Sequence, residues 1–165
     1  YCKLLDEVIK NMQGIEVREE QDVQIDLSVS SYIPDSFIDN SSQKIEIYQN
    51  IALCRTEEDI QNVVDEVIDR YGKLPVELEN LLEIARIKEL ARKVGTIKIS
   101  QRPESIVFYF TREAMLPEKM EKLYEQYGIA IRFSKGIEPY VTFKVGKRTE
   151  KEIISKVKEF LNLCA

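Results

Sequence analysis

Two consecutive helices with their own start and stop signals constrain the fold of this chain more than any other feature of its sequence. The first begins at Thr56, whose hydroxyl suits a helix N-cap, and is predicted to end at Gly72, because glycine commonly follows the last turn of a helix. Its apolar residues recur at helical spacing: Ile60, Val63, Val64, Val67, Ile68 and Tyr71. The pattern predicts a helix with one buried face and one polar face.

The second helix is predicted from Pro75, which suits a first helical turn, to Gly95. Its apolar residues fall on two faces. One face carries Leu78, Leu81, Leu82 and Ala85, and the opposite face carries Ile84, Ile87, Leu90, Ala91 and Val94. We expect its first half to pack on the preceding helices and its second half on the C-terminal part, so that this helix bridges the two.

The remaining pattern predicts an α+β fold. Alternating apolar residues at 23–29 indicate one strand, and a helix is predicted to end near Arg55. After Gly95, two strand–strand–helix units follow, with strands at 97–99, 105–110, 129–134 and 140–145 and helices at 116–127 and 149–163. The expected architecture is an N-terminal helical part with one β-strand, the long bridging helix, and a C-terminal ββαββα lobe with an antiparallel sheet.

Length and composition fit one domain of 165 residues, 44% hydrophobic and 32% charged. We expect a mainly helical lobe at 1–95 and the ββαββα lobe at 96–165. An apolar helical stripe at 1–12 has no N-cap before it, so we expect the domain to be excised from a longer protein. The sequence has neither a membrane-spanning run nor a signal segment, which predicts a cytoplasmic location and no membrane partner.

The residue types exclude most catalytic chemistry. The chain has no histidine, which removes the commonest general base and most transition-metal sites. The six glycines stand apart from one another, so no glycine-rich loop is available for a phosphate. Cys2, Cys54 and Cys164 are far apart in the sequence and are expected to be small buried hydrophobes. We therefore expect no catalytic residue, no cofactor and no metal.

The polar face of the first helix is acidic. It carries Glu58, Asp59, Asn62, Asp65, Glu66 and Asp69, with Arg70 near its edge. Residues 1–95 hold 11 Lys and Arg against 20 Asp and Glu, whereas 96–165 hold 13 against 9. Because carboxylates four residues apart repel each other, a basic partner would relieve this face, although solvation alone explains it equally well. Acid–base catalysis by these carboxylates, or by the group at 57–59, is a far weaker hypothesis.

The C-terminal lobe supports an alternative function, the binding of single-stranded nucleic acid. Its cations are Lys98, Arg102, Arg132, Lys135, Lys144, Lys147 and Arg148, and its aromatic residues are Phe108, Tyr109, Phe110, Phe133, Tyr140 and Phe143. A sheet that presents both can stack bases. Most of these aromatic residues share strands with Ile and Val, however, and are better explained as core.

The run from Gln43 to Gly95, QKIEIYQNIALCRTEEDIQNVVDEVIDRYGKLPVELENLLEIARIKELARKVG, resembles the C-terminal domain of the bacterial transcription-repair coupling factor (Mfd) family. The most specific parts are E-x-I-D-R-Y-G-x-L-P and L-L-E-I-A-R. The strand segment QIDLSVSSYIPDSFI fits the same family. The resemblance is close over 23–95 and is one of pattern over 96–165.

This resemblance implies a non-catalytic regulatory domain of a DNA-translocating ATPase that removes stalled RNA polymerase and recruits the repair protein UvrA. It implies that the domain folds back on the N-terminal UvrB-like domain of the same parent, masks UvrA binding and restrains the motor. The family's contact carboxylates align with EVIDRYG, which makes Glu66 and Asp69 the expected interface residues. Duplex DNA, RNA polymerase and UvrA are implied as partners of the parent, and no direct nucleic-acid binding is expected of this domain.

Overall fold

A computed structural model describes residues 23–165 of the chain, and its order of elements follows the sequence prediction. The elements are β1 Gln24–Asp26, α1 Ser41–Ala52, α2 Glu57–Tyr71, α3 Val76–Val94, β2 Thr96–Gln101, β3 Ser105–Phe110, α4 Pro117–Tyr127, β4 Ile131–Ser134, β5 Tyr140–Lys144 and α5 Glu150–Cys164. The mixed α+β class and the C-terminal ββαββα order are confirmed. The stripe predicted at 1–12 lies outside the described residues.

The strands form one sheet in the order β1-β2-β3-β5-β4. The four C-terminal strands pair antiparallel, as predicted, but β1 pairs parallel with β2 through Ile25 and Ile99. A parallel pair needs a long crossover connection, and here α1, α2 and α3 supply it. The single N-terminal strand therefore belongs to the C-terminal sheet, and it is shorter than the predicted 23–29.

Two hydrophobic cores lie on different parts of α3. The sheet core joins one face of the sheet to α3, α4 and α5, and at its centre the rings of Phe108 and Phe160 stack with centroids 3.8 Å apart. The helical core joins α1, α2 and the first half of α3, with Ile60 and Leu78 almost fully buried. The helices contribute their apolar stripes to these cores, as the sequence pattern predicts.

The predicted bridging role of α3 is confirmed. Leu78 and Leu82 belong to the helical core, whereas Ile87 and Ala91 belong to the sheet core. Ile84 differs from the prediction, since it was expected on the C-terminal side but is only half-buried and lies in neither core of the described residues. Helical spacing gives the direction of a side chain and not whether a neighbouring element covers it.

Two of the three cysteines are buried free thiols, as predicted, and Cys2 lies outside the described residues. Cys54 packs in the helical core and Cys164 in the sheet core. Burial raises the pKa of both thiols, that of Cys164 to about 11. Both are therefore protonated at neutral pH and act as small hydrophobes.

Candidate functional site

The orientation of α2 follows from its caps and its buried face. The hydroxyl of Thr56 accepts a hydrogen bond from the backbone N–H of Asp59 at 3.1 Å, which fixes the first turn. Gly72 ends the helix with φ +99°. Ile60 and Val67 are buried in the helical core, so the opposite side of the helix faces solvent.

That solvent face carries all six of the predicted interface residues, which we call the acidic surface: Glu58, Asp59, Asn62, Asp65, Glu66 and Asp69. Five are exposed, and Asp59 is half-buried. At about 100° per residue they span one side of the helix, so α2 alone brings them together. The surface presents five carboxylates within three and a half turns.

Asp59 holds the N-terminal end of the acidic surface in place. Its carboxylate accepts a hydrogen bond from the backbone N–H of Arg55 at 3.0 Å. That hydrogen bond is the largest cause that lowers the pKa of Asp59, and the Thr56 hydroxyl and backbone N–H add to the effect. Asp59 is therefore ionised at neutral pH and is partly used in capping α2.

The other carboxylates have few partners. Asp65 accepts a hydrogen bond from the Gln61 amide at 3.0 Å, and Glu66 lies 3.4 Å from the guanidinium of Arg70. The Glu66 side chain stays 53% exposed, so this i,i+4 pair is weak. Within residues 23–165, Glu58, Asn62 and Asp69 make no side-chain hydrogen bond or ion pair. These groups are free to contact another molecule.

The acidic surface does not have the geometry of a carboxylate active site. Its members diverge across a convex helix, and they line neither the cleft between α1 and α3 nor the one among α2, α3 and α5. Glu57, from the second carboxylate group considered, pairs with Arg86 at 3.0 Å. No group of three or more potential metal-ligating His, Cys, Asp or Glu side chains occurs in the described part of the chain.

An ion-pair network that the sequence pattern does not predict joins three helices. Arg86 on α3 contacts Glu57 on α2 and also Glu83, each at 3.0 Å. Glu83 in turn lies 2.7 Å from Lys158 on α5. These residues are 29 and 75 positions apart in the chain, and no local pattern links them. The network links α2, α3 and α5 at the N-terminal end of α2, and so connects helices of the helical core to a helix of the sheet core.

The sheet carries fewer surface aromatic residues than a base-stacking platform would use. Phe108, Phe110 and Phe143 are buried in the sheet core, and Phe133 packs against it. Tyr109 and Tyr140 lie on the outer face, with ring centroids 5.4 Å apart. The Lys98 ammonium already lies 5.5 Å from the Tyr109 ring. The core explanation is therefore confirmed for four of the six aromatic residues.

Within residues 23–165, none of the helices is both long enough and apolar enough to cross a membrane. The longest, α3, has 19 residues but carries charged side chains along its whole length. Two of these side chains, Glu83 and Arg86, belong to the ion-pair network described above.

Comparisons with known proteins agree on one family. The sequence model of the family described as "TRCF domain" matches residues 27–125. The transcription-repair-coupling factor of Staphylococcus haemolyticus is 33% identical over 128 residues, which are 76% of this chain and 11% of that protein. The one from Rickettsia prowazekii is 31% identical over 163 residues, which are 98% of this chain and 14% of that protein. The chain thus spans about one-seventh or less of these relatives.

A solved structure has the same fold. The crystal structure of the C-terminal domain of a transcription-repair coupling factor superposes with a TM-score of 0.79, covering 90% of this chain and 95% of that chain. The two sequences are 22% identical, so this likeness concerns the fold. The matched family region includes α1, α2, α3 and both strands β2 and β3, and therefore the whole acidic surface.

Proposed function

The chain belongs to the TRCF domain family and has the fold of the C-terminal domain of a transcription-repair coupling factor, and from this premise we propose that it is a non-catalytic regulatory domain. Its acidic surface docks on the N-terminal UvrB-like domain of the same parent. Docking masks the UvrA-binding surface of that domain and restrains the DNA-translocating ATPase.

The acidic surface is the observation that carries this proposal. It holds five carboxylates on one helix, and the single ion pair that they form with other residues of 23–165 is exposed and 3.4 Å long. Like charges such as Asp65 and Asp69, four residues apart, repel each other by a few tenths of a kcal/mol. A basic partner relieves this repulsion and replaces water with charge-assisted hydrogen bonds.

Glu66 and Asp69 are the proposed centre of the interface. Asp69 has no partner within the described chain, and Glu66 has only the weak contact with Arg70. An arginine on the UvrB-like domain can form a bidentate pair of hydrogen bonds with either carboxylate. Few existing contacts of Glu66 or Asp69 would be lost in forming it. Glu58, Asn62 and Asp65 flank these two residues and extend the same surface toward the start of α2.

Reversible contacts of this kind suit an autoinhibitory clasp. Partly exposed ion pairs contribute about 0.2 to 1 kcal/mol each. Moving a clasp from 1:99 to 99:1 open requires about 5.5 kcal/mol of differential binding. Several such pairs hold the closed state, and engagement of another partner by the parent can still open it.

At the level of the parent, we propose RNA polymerase, UvrA and duplex DNA as the partners, with the motor outside this chain and the whole protein in the cytoplasm. We also propose that residues 1–165 act as one domain, because α3 contributes to both cores. No nucleic acid, metal or cofactor is assigned to the acidic surface.

The test is a titration of this domain with the separately produced UvrB-like region of its parent, at low and high salt. We expect salt-sensitive binding that Glu66→Arg/Asp69→Arg abolishes. Glu121→Arg/Glu125→Arg on α4 is the matched control, because it makes the same change of charge at two exposed residues elsewhere. Unchanged affinity in the α2 variant would remove these residues from the interface.

A second measurement applies to the full-length parent. Glu66→Arg/Asp69→Arg is expected to increase UvrA binding and ATP hydrolysis in the absence of RNA polymerase, because the closed state is lost. If both quantities stay at the wild-type value while the separated domains still bind each other, the interface exists but does not regulate the motor.

The second candidate function is binding of single-stranded nucleic acid on the outer sheet face. It is favoured by Tyr109 and Tyr140, which are neighbours across β3 and β5, and by the exposed cations Arg132 and Lys144. A labelled oligonucleotide at low salt tests it, with Tyr140→Ala as the variant. Absence of binding at low salt removes this function.

A further inference from the structure

A cleft of about 380 Å³ lies between α1 and α3, which we call the α1–α3 groove. Its floor is aliphatic and includes Ile51, Leu81, Ile84 and Ala85. On α3 the lining residues recur at helical spacing from Leu81 to Arg92. The groove therefore follows about 16 Å of that helix, or three turns.

Ile84 marks the groove as apolar surface that folding leaves partly uncovered. It is half-buried and belongs to neither hydrophobic core of residues 23–165, although Leu82 and Ile87 beside it are fully buried. On α1, Tyr48 is 37% exposed and Ile45, one turn earlier on the same side of the helix, is 55% exposed. These residues extend the apolar strip along α1.

Among residues 23–165, every charged side chain that lines the groove is a cation. Lys88 and Arg92 stand on successive turns of α3, and neither forms an ion pair within residues 23–165. Arg55 borders the other side, where its guanidinium donates hydrogen bonds to the carbonyls of Ala52 and Cys54 at the end of α1. This positive rim is notable in a chain with a net charge of −5.

We propose that the α1–α3 groove binds an acidic amphipathic helix of a partner protein. Apolar residues of that helix, at positions i, i+3 or i+4 and i+7, would contact Ile84 and its aliphatic neighbours. Its carboxylates would pair with Lys88 and Arg92. The groove is separate from the proposed clasp, because none of the acidic-surface residues lines it.

Charge and shape together favour this occupant over nucleic acid. The floor is aliphatic and offers little stacking surface, and the hydroxyl of Tyr48 is held by the backbone N–H of Ile33 at 2.8 Å. Base stacking depends on exposed aromatic faces, whereas a helix in a groove needs an aliphatic strip with complementary charge at its edge.

The experiment uses the whole 165-residue chain and a fluorescent synthetic helix of about 18 residues, with Leu at i, i+3 and i+7 and Glu on the flanking positions. Anisotropy is measured at two salt concentrations. Two control peptides are used, one with the same composition in scrambled order and one with Lys in place of Glu. We expect binding of the first peptide only, weakened by salt.

Variants locate the binding. Lys88→Glu/Arg92→Glu and, separately, Ile84→Gln are each expected to weaken binding about tenfold or more. Lys135→Glu/Lys147→Glu is the charge-matched control at exposed residues of the other lobe and is expected to bind like wild type. Amide chemical shifts of the wild-type complex are expected to change along α1 and α3, which gives a readout that does not depend on any variant folding.

Equal binding of the scrambled peptide, or shifts confined to other elements, would overturn the proposal. So would the absence of binding at millimolar peptide. If a labelled single-stranded oligonucleotide bound instead, with the same dependence on Ile84 and Lys88, the groove would be a nucleic-acid site and the acidic helix would be wrong.

Discussion

The side-chain amide of Asn80 donates a hydrogen bond of 2.9 Å to the backbone carbonyl of Ser30, 50 residues earlier in the chain. Asn80 is only 5% exposed, and its amide also lies 3.5 Å from the carboxylate of Glu150 on α5. One side chain on α3 thus fixes the segment that leaves β1 and contacts the last helix. The same segment continues to Tyr32, whose backbone N–H donates a hydrogen bond to the carbonyl of Glu77 on α3.

Replacing Asn80 with Ala is expected to lower the free energy of unfolding by about 1 to 2 kcal/mol, because a largely buried hydrogen bond is lost. Chemical denaturation measures the change. Asn62→Ala is the matched control, since the Asn62 side chain is exposed and makes no hydrogen bond within residues 23–165. Equal effects of the two substitutions would contradict a structural role for the Asn80 contact.

Gly95 and Gly72 both have positive φ but differ in the space around them. A Cβ at Gly95 would lie 2.4 Å from the Cβ of Ala114, whereas a Cβ at Gly72 would have no non-neighbouring atom of residues 23–165 within 4 Å. At Gly72, φ +99° with ψ −157° lies in a region that is essentially confined to glycine, so Gly72→Ala is expected to cost about 1 to 3 kcal/mol for the backbone conformation alone. Gly95 lies in the left-handed helical region, so Gly95→Ala is expected to cost about 1 to 2 kcal/mol for the backbone and about 1 to 3 kcal/mol more for overpacking against Ala114. Thermal unfolding of the pair tests this order.

Phe160 is the centre of the aromatic cluster in the sheet core. Its ring contacts those of Phe108, Phe110, Tyr127 and Phe143. Phe160→Ala is expected to destabilise the domain by about 3 to 5 kcal/mol, since it removes a fully buried ring and leaves a cavity. Phe133→Ala, at a half-buried ring of the same sheet, is expected to cost less. Denaturant titrations of both variants give the comparison.

Glu152 makes stability depend on pH. Its carboxylate accepts a hydrogen bond of 2.9 Å from the backbone N–H of Thr149, which lowers its pKa below the ordinary value of 4.5. A lowered pKa means that the stabilisation is fully present above pH 4.5 and is lost as pH falls through the folded-state pKa. The stability difference between wild type and Glu152→Gln is therefore expected to be constant at neutral pH and to shrink below pH 4.5. A difference that grows on acidification would contradict this cause.

Asp69→Lys is expected to leave the fold intact and to raise the free energy of unfolding by about 0.2 to 0.5 kcal/mol, because it replaces a repulsion with Asp65 by an attraction. The gain is expected to disappear at high salt. Thermal unfolding at two salt concentrations measures it. A marked destabilisation would show that Asp69 is needed for folding, against its assignment as a free interface residue.

The sequence predicts a helix well where a capping residue stands next to a stripe of apolar residues at helical spacing. Thr56 and Gly72 set the limits of α2, and Thr149, at the predicted start of the last helix, forms a capping box with Glu152. The placement of β1 could not be predicted, because its parallel partner Ile99 is 74 positions away and alternation does not identify a partner.

The acidic surface could be recognised from the sequence because all of its members lie on one helix. The α1–α3 groove could not, because it needs the relative position of two helices. The ion pair between Glu83 and Lys158 cannot be predicted from the sequence for the same reason, since it joins α3 to α5. Residues within one element follow helical geometry, whereas contacts between elements depend on the packing of the whole domain.

The continuity of α3 has a mechanical consequence. Its 19 residues contain neither glycine nor proline, so about 28 Å of uninterrupted helix joins the packing behind the acidic surface to the sheet. Leu82 and Ile87, five residues apart, are anchored in different cores. A force applied to α2 is therefore transmitted to the sheet without a flexible joint between them. If the acidic surface docks as proposed, its release would therefore move the helical core and the sheet together.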